Sequence, residues 1–171
     1  MRPPRGSSAR SGATRPGVAI ITALGEDGPV GLTASSVASV AADPATISFS
    51  VSSATRSAGA LLRASRLDVH LLTLDQAPVA EVFARSGSER FTPDQGWTWS
   101  ADGAPTLPDA LATLRCEPLT TVPVGGSTIV VATVLDVRLG PDAAPLVHHD
   151  RTFRAVGRPA GEVEVERHAG A

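Results

Sequence analysis

The chain has 171 residues, 42% of them hydrophobic, and carries 15 basic and 17 acidic side chains for a net charge of −2. That length and apolar content suit one domain with a real core, and the near-neutral balance gives no electrostatic case for nucleic acid or an anionic membrane. A single cysteine, Cys116, excludes an internal disulfide and a cysteine-based metal cluster.

Residues 1–15, MRPPRGSSARSGATR, are rich in Arg, Ser, Gly and Pro without apolar periodicity and read as a disordered arm. They precede no hydrophobic h-region, so they are not a secretory signal. No apolar run nears the ~20 residues of a membrane span. The expectation is a soluble cytoplasmic protein whose folded domain covers 16–157. The tail, 158–171, resembles the arm, with VEVE at Val163–Glu166 as a candidate edge strand.

Gly17–Leu24, GVAIITAL, is a short β-branched run and predicts a buried strand. Glu26-Asp27-Gly28-Pro29 has hairpin-turn chemistry, and Val30–Ser36 returns as a second strand. The segment Gly31–Pro44, GLTASSVASVAADP, then offers hydroxyls at Thr33, Ser35, Ser36 and Ser39 on a backbone with little bulk. It suits either a cradle for a planar ligand or an ordinary Ser/Ala-rich strand and loop. After a turn at Asp43-Pro44, Thr46–Ser52 alternates: Ile47, Phe49 and Val51 face a core, and Ser48, Ser50 and Ser52 form a line of hydroxyls.

Ser53–Arg63 predicts a helix capped by Thr55 or Ser53, with Ala58, Leu61 and Leu62 as its apolar stripe. Its start joins free N–H groups to Thr55, Arg56 and Ser57, which makes either an anion site or a plain cap beside a solvated arginine. Leu67–Leu74 predicts a strand holding His70, read as a hydrogen-bonded structural histidine. Asp75–Ala84 predicts a helix with Asp75 as N-cap and Val79, Val82 and Phe83 buried. Residues 85–103 read as a loop whose Trp97 and Trp99 cover a pocket, fill an interface or join the core.

Leu111–Val124 and Ser127–Leu139 predict two long strands turned by Gly125-Gly126, and Pro145–His149 and Arg151–Val156 two short ones. Cys116 sits in an apolar run and reads as a small core residue. Strands joined by short turns, without βαβ alternation, point to a mainly β, antiparallel barrel with a few short helices. No GxGxxG, P-loop, HExxH or GxSxG is present. Neighbouring His148 and His149 would point to opposite faces of a strand, so no metal site is assigned.

These residues in order resemble the flavin reductase-like proteins with an FMN-binding split barrel, the small reductase components of two-component flavin monooxygenases. The resemblance is carried by GVAIITAL leading to Gly31-Leu32-Thr33-Ala34-Ser35-Ser36, by Asp43-Pro44, and by Ser52-Ser53-Ala54-Thr55-Arg56-Ser57. Further along, Glu81-Val82-Phe83-Ala84, Phe91 with Trp97, Gly103–Leu107, Leu114-Arg115-Cys116-Glu117 and Pro145-Leu146 with Arg151 and Phe153 continue the series. It spans about 16–156.

The resemblance implies an antiparallel Greek-key split barrel, dimeric, that binds FMN or FAD. The flavin ring would lie against Thr33, Ala34, Ser35 and Ser36. Its phosphate end would meet Ser52, Ser53, Thr55, Arg56 and Ser57. The implied activity is NAD(P)H-dependent flavin reduction for a partner monooxygenase. Where the family commonly carries Gly-Asp-His before the late strand, this chain has Gly125-Gly126-Ser127. His148 is the candidate replacement. The alternative reading keeps the flavin without nicotinamide-dependent reduction, as a carrier, a sensor or a catalyst of other flavin chemistry.

Overall fold

The computed structural model describes residues 17–53, 55–149 and 152–155. The arm, the tail with its VEVE segment, Ala54 and Arg151 lie outside the described residues. Among the described residues no helix is long and apolar enough to cross a membrane.

The chain order is β1 (Ala19–Gly25), β2 (Gly28–Ala34), β3 (Ala38–Ala42), β4 (Ala45–Ser52), α1 (Arg56–Arg63), β5 (Leu67–Leu71), a 3₁₀ turn (Leu74–Gln76), α2 (Ala77–Ala84), β6 (Thr98–Trp99), β7 (Pro105–Thr106), β8 (Ala112–Val124), β9 (Ser127–Leu139), β10 (Leu146–His149) and β11 (Thr152–Ala155). Seven strands form one sheet in the order β2-β1-β5-β8-β9-β4-β3, every neighbouring pair antiparallel. β10 pairs with β11, and β6 with β7.

The expected elements are present, with local differences. Glu26 and Asp27 form the first turn, because Gly28 (φ 120°) already pairs with Gly25. The Ser/Ala segment contains an extra strand, β3, exposed along its whole length. It is held by its ladder with β4 and not by burial, so no apolar periodicity announced it. Asp75 does not cap the second helix: the 3₁₀ turn starts after Thr73, whose N–H donates to Gln76 Oε1 at 3.1 Å. α2 buries Ala80 and Phe83, while Val79 and Val82 pack at the margin.

β1 reads as a continuous apolar run because both of its faces are covered. Ile21 joins a core with Phe49, Val51, Leu61, Val69 and Val130. Its neighbour Ile20 points the other way, into a core with Leu72, Phe83, Trp97, Leu107 and Leu146. α1 closes the first core through Ala58 and Leu61, and α2 closes the second. Cys116 is fully buried in the first core, and burial, then Asp68, pushes its thiol pKa up to about 12. It is an inert packing residue.

The segment that follows edge strand β2 is tied to β4, next to the other edge of the sheet. Ser36, just past β2, accepts from the N–H of Ser50 on β4 at 2.9 Å, and the two hydroxyls are 3.1 Å apart. Near this strap β2 passes very close to α2. A Cβ on Gly31 would stand 2.8 Å from Phe83 Cε1 and 3.2 Å from Phe91 Cζ, so only glycine fits.

His70 on β5 is fully buried with its ring edge-on to Trp97, centroids 5.4 Å apart. Nε2 lies 3.1 Å from Thr22 Oγ1 and Nδ1 lies 3.0 Å from Thr113 Oγ1. The Thr22 hydroxyl is oriented toward the Asp68 carbonyl, which leaves it to accept from Nε2–H while Thr113 donates to Nδ1. Both ring nitrogens are satisfied in the neutral form. Burial, then Arg138, lowers the pKa from 6.5 to about 3. The unfolded chain therefore takes up a proton that the folded chain refuses. This contribution to stability is present above about pH 6.5 and is lost as pH falls toward 3, with a slope near 1.4 kcal/mol per pH unit. We expect denaturation series across this window to show a shallower pH slope for His70→Asn than for the unsubstituted protein; equal slopes would contradict the assignment. In the same assay Gly31→Ala should cost about 1–3 kcal/mol, because the aromatic rings it meets are packed on both sides.

Candidate functional site

A cleft of about 510 Å³ opens where five segments converge. β2 brings Leu32 and Thr33, the end of β4 brings Ser50 and Ser52, and the start of α1 brings Thr55, Arg56 and Ser57. Phe83 and Ala84 end α2, and the loop behind it adds Ser86, Gly87, Ser88 and Arg90. The volume falls within the range of small-molecule sites. Among the described residues no carboxylate lines the cleft, while two arginines and several hydroxyls do.

The start of α1 is built as expected. Thr55 adopts an extended backbone and its Oγ1 accepts from the Ala58 N–H at 3.2 Å. That leaves the earlier N–H groups of the helix, the Ser57 hydroxyl and Arg56 at the mouth of the cleft, an arrangement that favours an anion.

Arg90 is the residue the sequence did not disclose. Its Nη1 donates to the Gly31 carbonyl at 2.7 Å and to Ser57 Oγ at 3.2 Å, and its Nη2 donates to the Arg85 carbonyl at 2.6 Å. The guanidinium also lies over the Phe83 ring, 5.3 Å from its centroid. Its Nε is buried without a hydrogen-bond partner, and no ion pair to Arg90 occurs among the described residues. Burial lowers its pKa from the usual arginine value, as expected for a cation partly removed from water with no carboxylate beside it. In sequence it is one arginine of fifteen in a loop without periodicity. Nothing in the sequence marks it out; the structure places it beside Phe91, whose left-handed backbone (φ 62°) is rare for an aromatic residue.

Of the residues expected at a cofactor, the cleft gathers Thr33, Ser52, Thr55, Arg56 and Ser57. The Thr33 hydroxyl is already committed, donating to the Ala80 carbonyl at 2.6 Å. The structure does not bring the other four into the lining. Ala34 is buried in the first core. Ser35 follows it past the end of β2, outside the lining. Ser36 bonds Ser50 of β4. Ser53 donates its N–H to the Gly126 carbonyl at 2.9 Å and lies 3.4 Å from Thr128 Oγ1. His148 is on β10, a strand tied through Leu146 to Val18 and Leu72, and it does not line the cleft. Ser127, at the position of the family histidine, pairs directly with Ser52. Ser50, expected only as part of a hydroxyl face, does line the cleft, whereas Ser48 does not.

The donor set fits a flavin nucleotide. An uncompensated guanidinium with an orphaned Nε, two hydroxyls and a helix start suit a phosphate. Leu32 and Phe83 add apolar surface for a flat ring beside it.

Comparison with known proteins agrees with this geometry. The family model described as the flavin reductase like domain matches residues 11–157. An NADH:FMN oxidoreductase from Rhodococcus qingshengii is 36% identical over 141 residues, which cover 80% of this chain and 73% of that protein. The crystal structure of a flavin reductase domain protein from Arthrobacter sp. FB24 superposes with a TM-score of 0.79 at 30% identity, covering 88% of this chain and 93% of the other. The styrene monooxygenase flavin reductase of Pseudomonas putida S12 gives a TM-score of 0.75 at 29% identity, covering 86% and 94%. With the model matched along most of the chain and a cleft suited to a flavin nucleotide, the chain belongs to the flavin reductase like domain family.

Proposed function

We propose that this protein is an NADH-dependent flavin reductase that supplies reduced FMN or FAD to a partner monooxygenase. The observation that carries the reading is the convergence of Arg90, Thr55, Ser57 and the start of α1 on one carboxylate-free cleft. The relatives named as NADH:FMN oxidoreductase and as a styrene monooxygenase flavin reductase support the nicotinamide and the oxygenase partner. The working domain is 16–157, and the protein acts in the cytoplasm.

Bound flavin supplies the redox chemistry, accepting two electrons from reduced nicotinamide. The chain binds and orients. Arg90 and the hydroxyls of Thr55 and Ser57 would hold the phosphate. Leu32, Thr33 and Phe83 would offer a wall to the flat ring, and Ser50 and Ser52 would border it. Thr33, fixed to α2 through the Ala80 carbonyl, keeps that wall rigid. No side chain of the cleft is a general acid or base at neutral pH, so the protons exchange with solvent through its open mouth.

The sheet is the Greek-key split barrel of this chain, and a second copy packs against it as a dimer. Residues directly opposite across antiparallel strands share a face. The row Ser50, Ile129, Val122 and the row Ser52, Ser127, Val124 therefore run from the cleft straight onto exposed apolar surface. Ile129 is 38% exposed, Val122 47% and Val124 55%. Apolar side chains this open beside a ligand site mark an interface that would wall the cleft.

Two measurements test these readings. NADH should bleach free FMN or FAD catalytically, and Arg90→Met should weaken flavin retention about tenfold or more by removing charge-assisted contacts; a flavin-bound protein without turnover would select the alternative of flavin binding without reduction. In light scattering after gel filtration the protein should run as a dimer, and Ile129→Glu with Val122→Glu should halve its mass and lower flavin affinity together. A monomeric parent protein would refute the assembly.

A further inference from the structure

A second cleft, of about 450 Å³, adjoins the first. The two share Ser57 and Arg90, and the remaining walls of the second are Pro29, Val30, the backbone of Gly31, and the rings of Phe91 and Trp99. Arg90 thus stands at a junction: the site for a flavin ring and one phosphate lies on one side, and an aromatic-lined space lies on the other.

Trp99 is unlike the other aromatic residues of this region. Phe83 and Trp97 are buried and pack together with Phe91. Trp99 is 54% exposed, and its ring centroid lies 6.4 Å from that of Phe91 at 40°, too far and too tilted for face-to-face stacking. It is nevertheless held firmly. Trp99 pairs with Pro105 across the β6–β7 ladder, the next residue, Ser100, donates its N–H to the Ala104 carbonyl at 3.0 Å, and Gly103 closes the turn back onto Ser100 at 2.9 Å. An indole on an anchored backbone, left open beside an arginine with no acidic side chain among the described residues of the walls, suits an aromatic base carried on a phosphate.

We propose that this second cleft takes the adenine nucleotide half of a dinucleotide flavin, with the base against Trp99 and the pyrophosphate passing Arg90 and Ser57. The proposal rests on the flavin reading of the first cleft and makes FAD the preferred flavin. FMN ends at the junction, whereas FAD continues through it. Adenine could also come from the nicotinamide dinucleotide; the adjacency of the two clefts at Ser57 and Arg90 favours the flavin, because one molecule then occupies both.

The test is equilibrium dialysis of the full chain against FMN and FAD, with Trp99→Ala and Trp99→Phe alongside. FAD should bind about tenfold tighter than FMN. Trp99→Ala should bring FAD to the FMN value and leave FMN unchanged, and Trp99→Phe should retain most of the preference. Equal affinity for both flavins in the unsubstituted protein, or a Trp99→Ala loss shared by FMN, would overturn the proposal while the flavin reading stands. Retention of neither flavin would remove the flavin reading itself. In a parallel arm, a KM for NADH that rises in Trp99→Ala with FMN as acceptor, while the FAD affinity stays unchanged, would assign the adenine to the nicotinamide dinucleotide and overturn the flavin assignment.

Discussion

The site depends on the guanidinium of Arg90, which has no ion pair among the described residues. Arg90 binds the carbonyls of Gly31 and Arg85 and the hydroxyl of Ser57, so a single side chain joins β2, α1 and the loop behind α2. A carboxylate in its place of contact would have stabilised the charge and closed the site to anions. Neutral acceptors hold the cation without cancelling it, which leaves its field available to a ligand. The arrangement requires Gly31: any side chain there would strike Phe83 and Phe91 and push the loop, and Arg90 with it, away from the strand.

The same economy of space appears through the sheet. β1 serves two cores with neighbouring residues, Ile21 toward α1 and Ile20 toward α2 and Trp97. On the Ile20 side the strands also carry Thr22, Asp68, His70, Thr113 and Arg115, and this polar group is internally satisfied. Arg115 Nε pairs with Asp68 at 3.2 Å and Nη1 with Asp102 at 3.2 Å, and His70 rests between two threonine hydroxyls. Each of these pairings holds strands in register. None of the polar groups faces the flavin-shaped cleft, so the most perturbed histidine of the protein is a structural element and not a catalyst.

At the β4 border of the cleft, Ser50 and Ser52 give way to exposed Ile129, Val122 and Val124. At another border, Ser57 and Arg90 are shared with the Trp99 space. The first border fits an interface between copies and the second fits a longer nucleotide. The described lining of the cleft carries little reactive chemistry of its own and instead shapes surfaces suited to a cofactor.

Local patterns were enough for the β-rich class, the longer strands, both helices and the Thr55 cap, but not for the short β3, β6 and β7. Alternation along Thr46–Ser52, β-branched runs and capping chemistry act over a few residues and can be read one segment at a time. The serial motifs from Gly31 to Ser57 pointed to the family for the same reason. What folding alone decided are the contacts between distant residues. Ser36 and Ala34, promising as part of a small-residue run, went to the sheet strap and the core once the sheet formed. Arg90, featureless in its loop, became the central cation because Gly31 and Ser57, 59 and 33 residues away, arrive beside it. Trp97 and Trp99, two positions apart, diverged into core and surface although both rings neighbour Phe91. The sequence by itself therefore determined the elements and the kind of ligand, and only the tertiary structure decided which side chains face that ligand, because facing is a property of packing between segments and not of any segment alone.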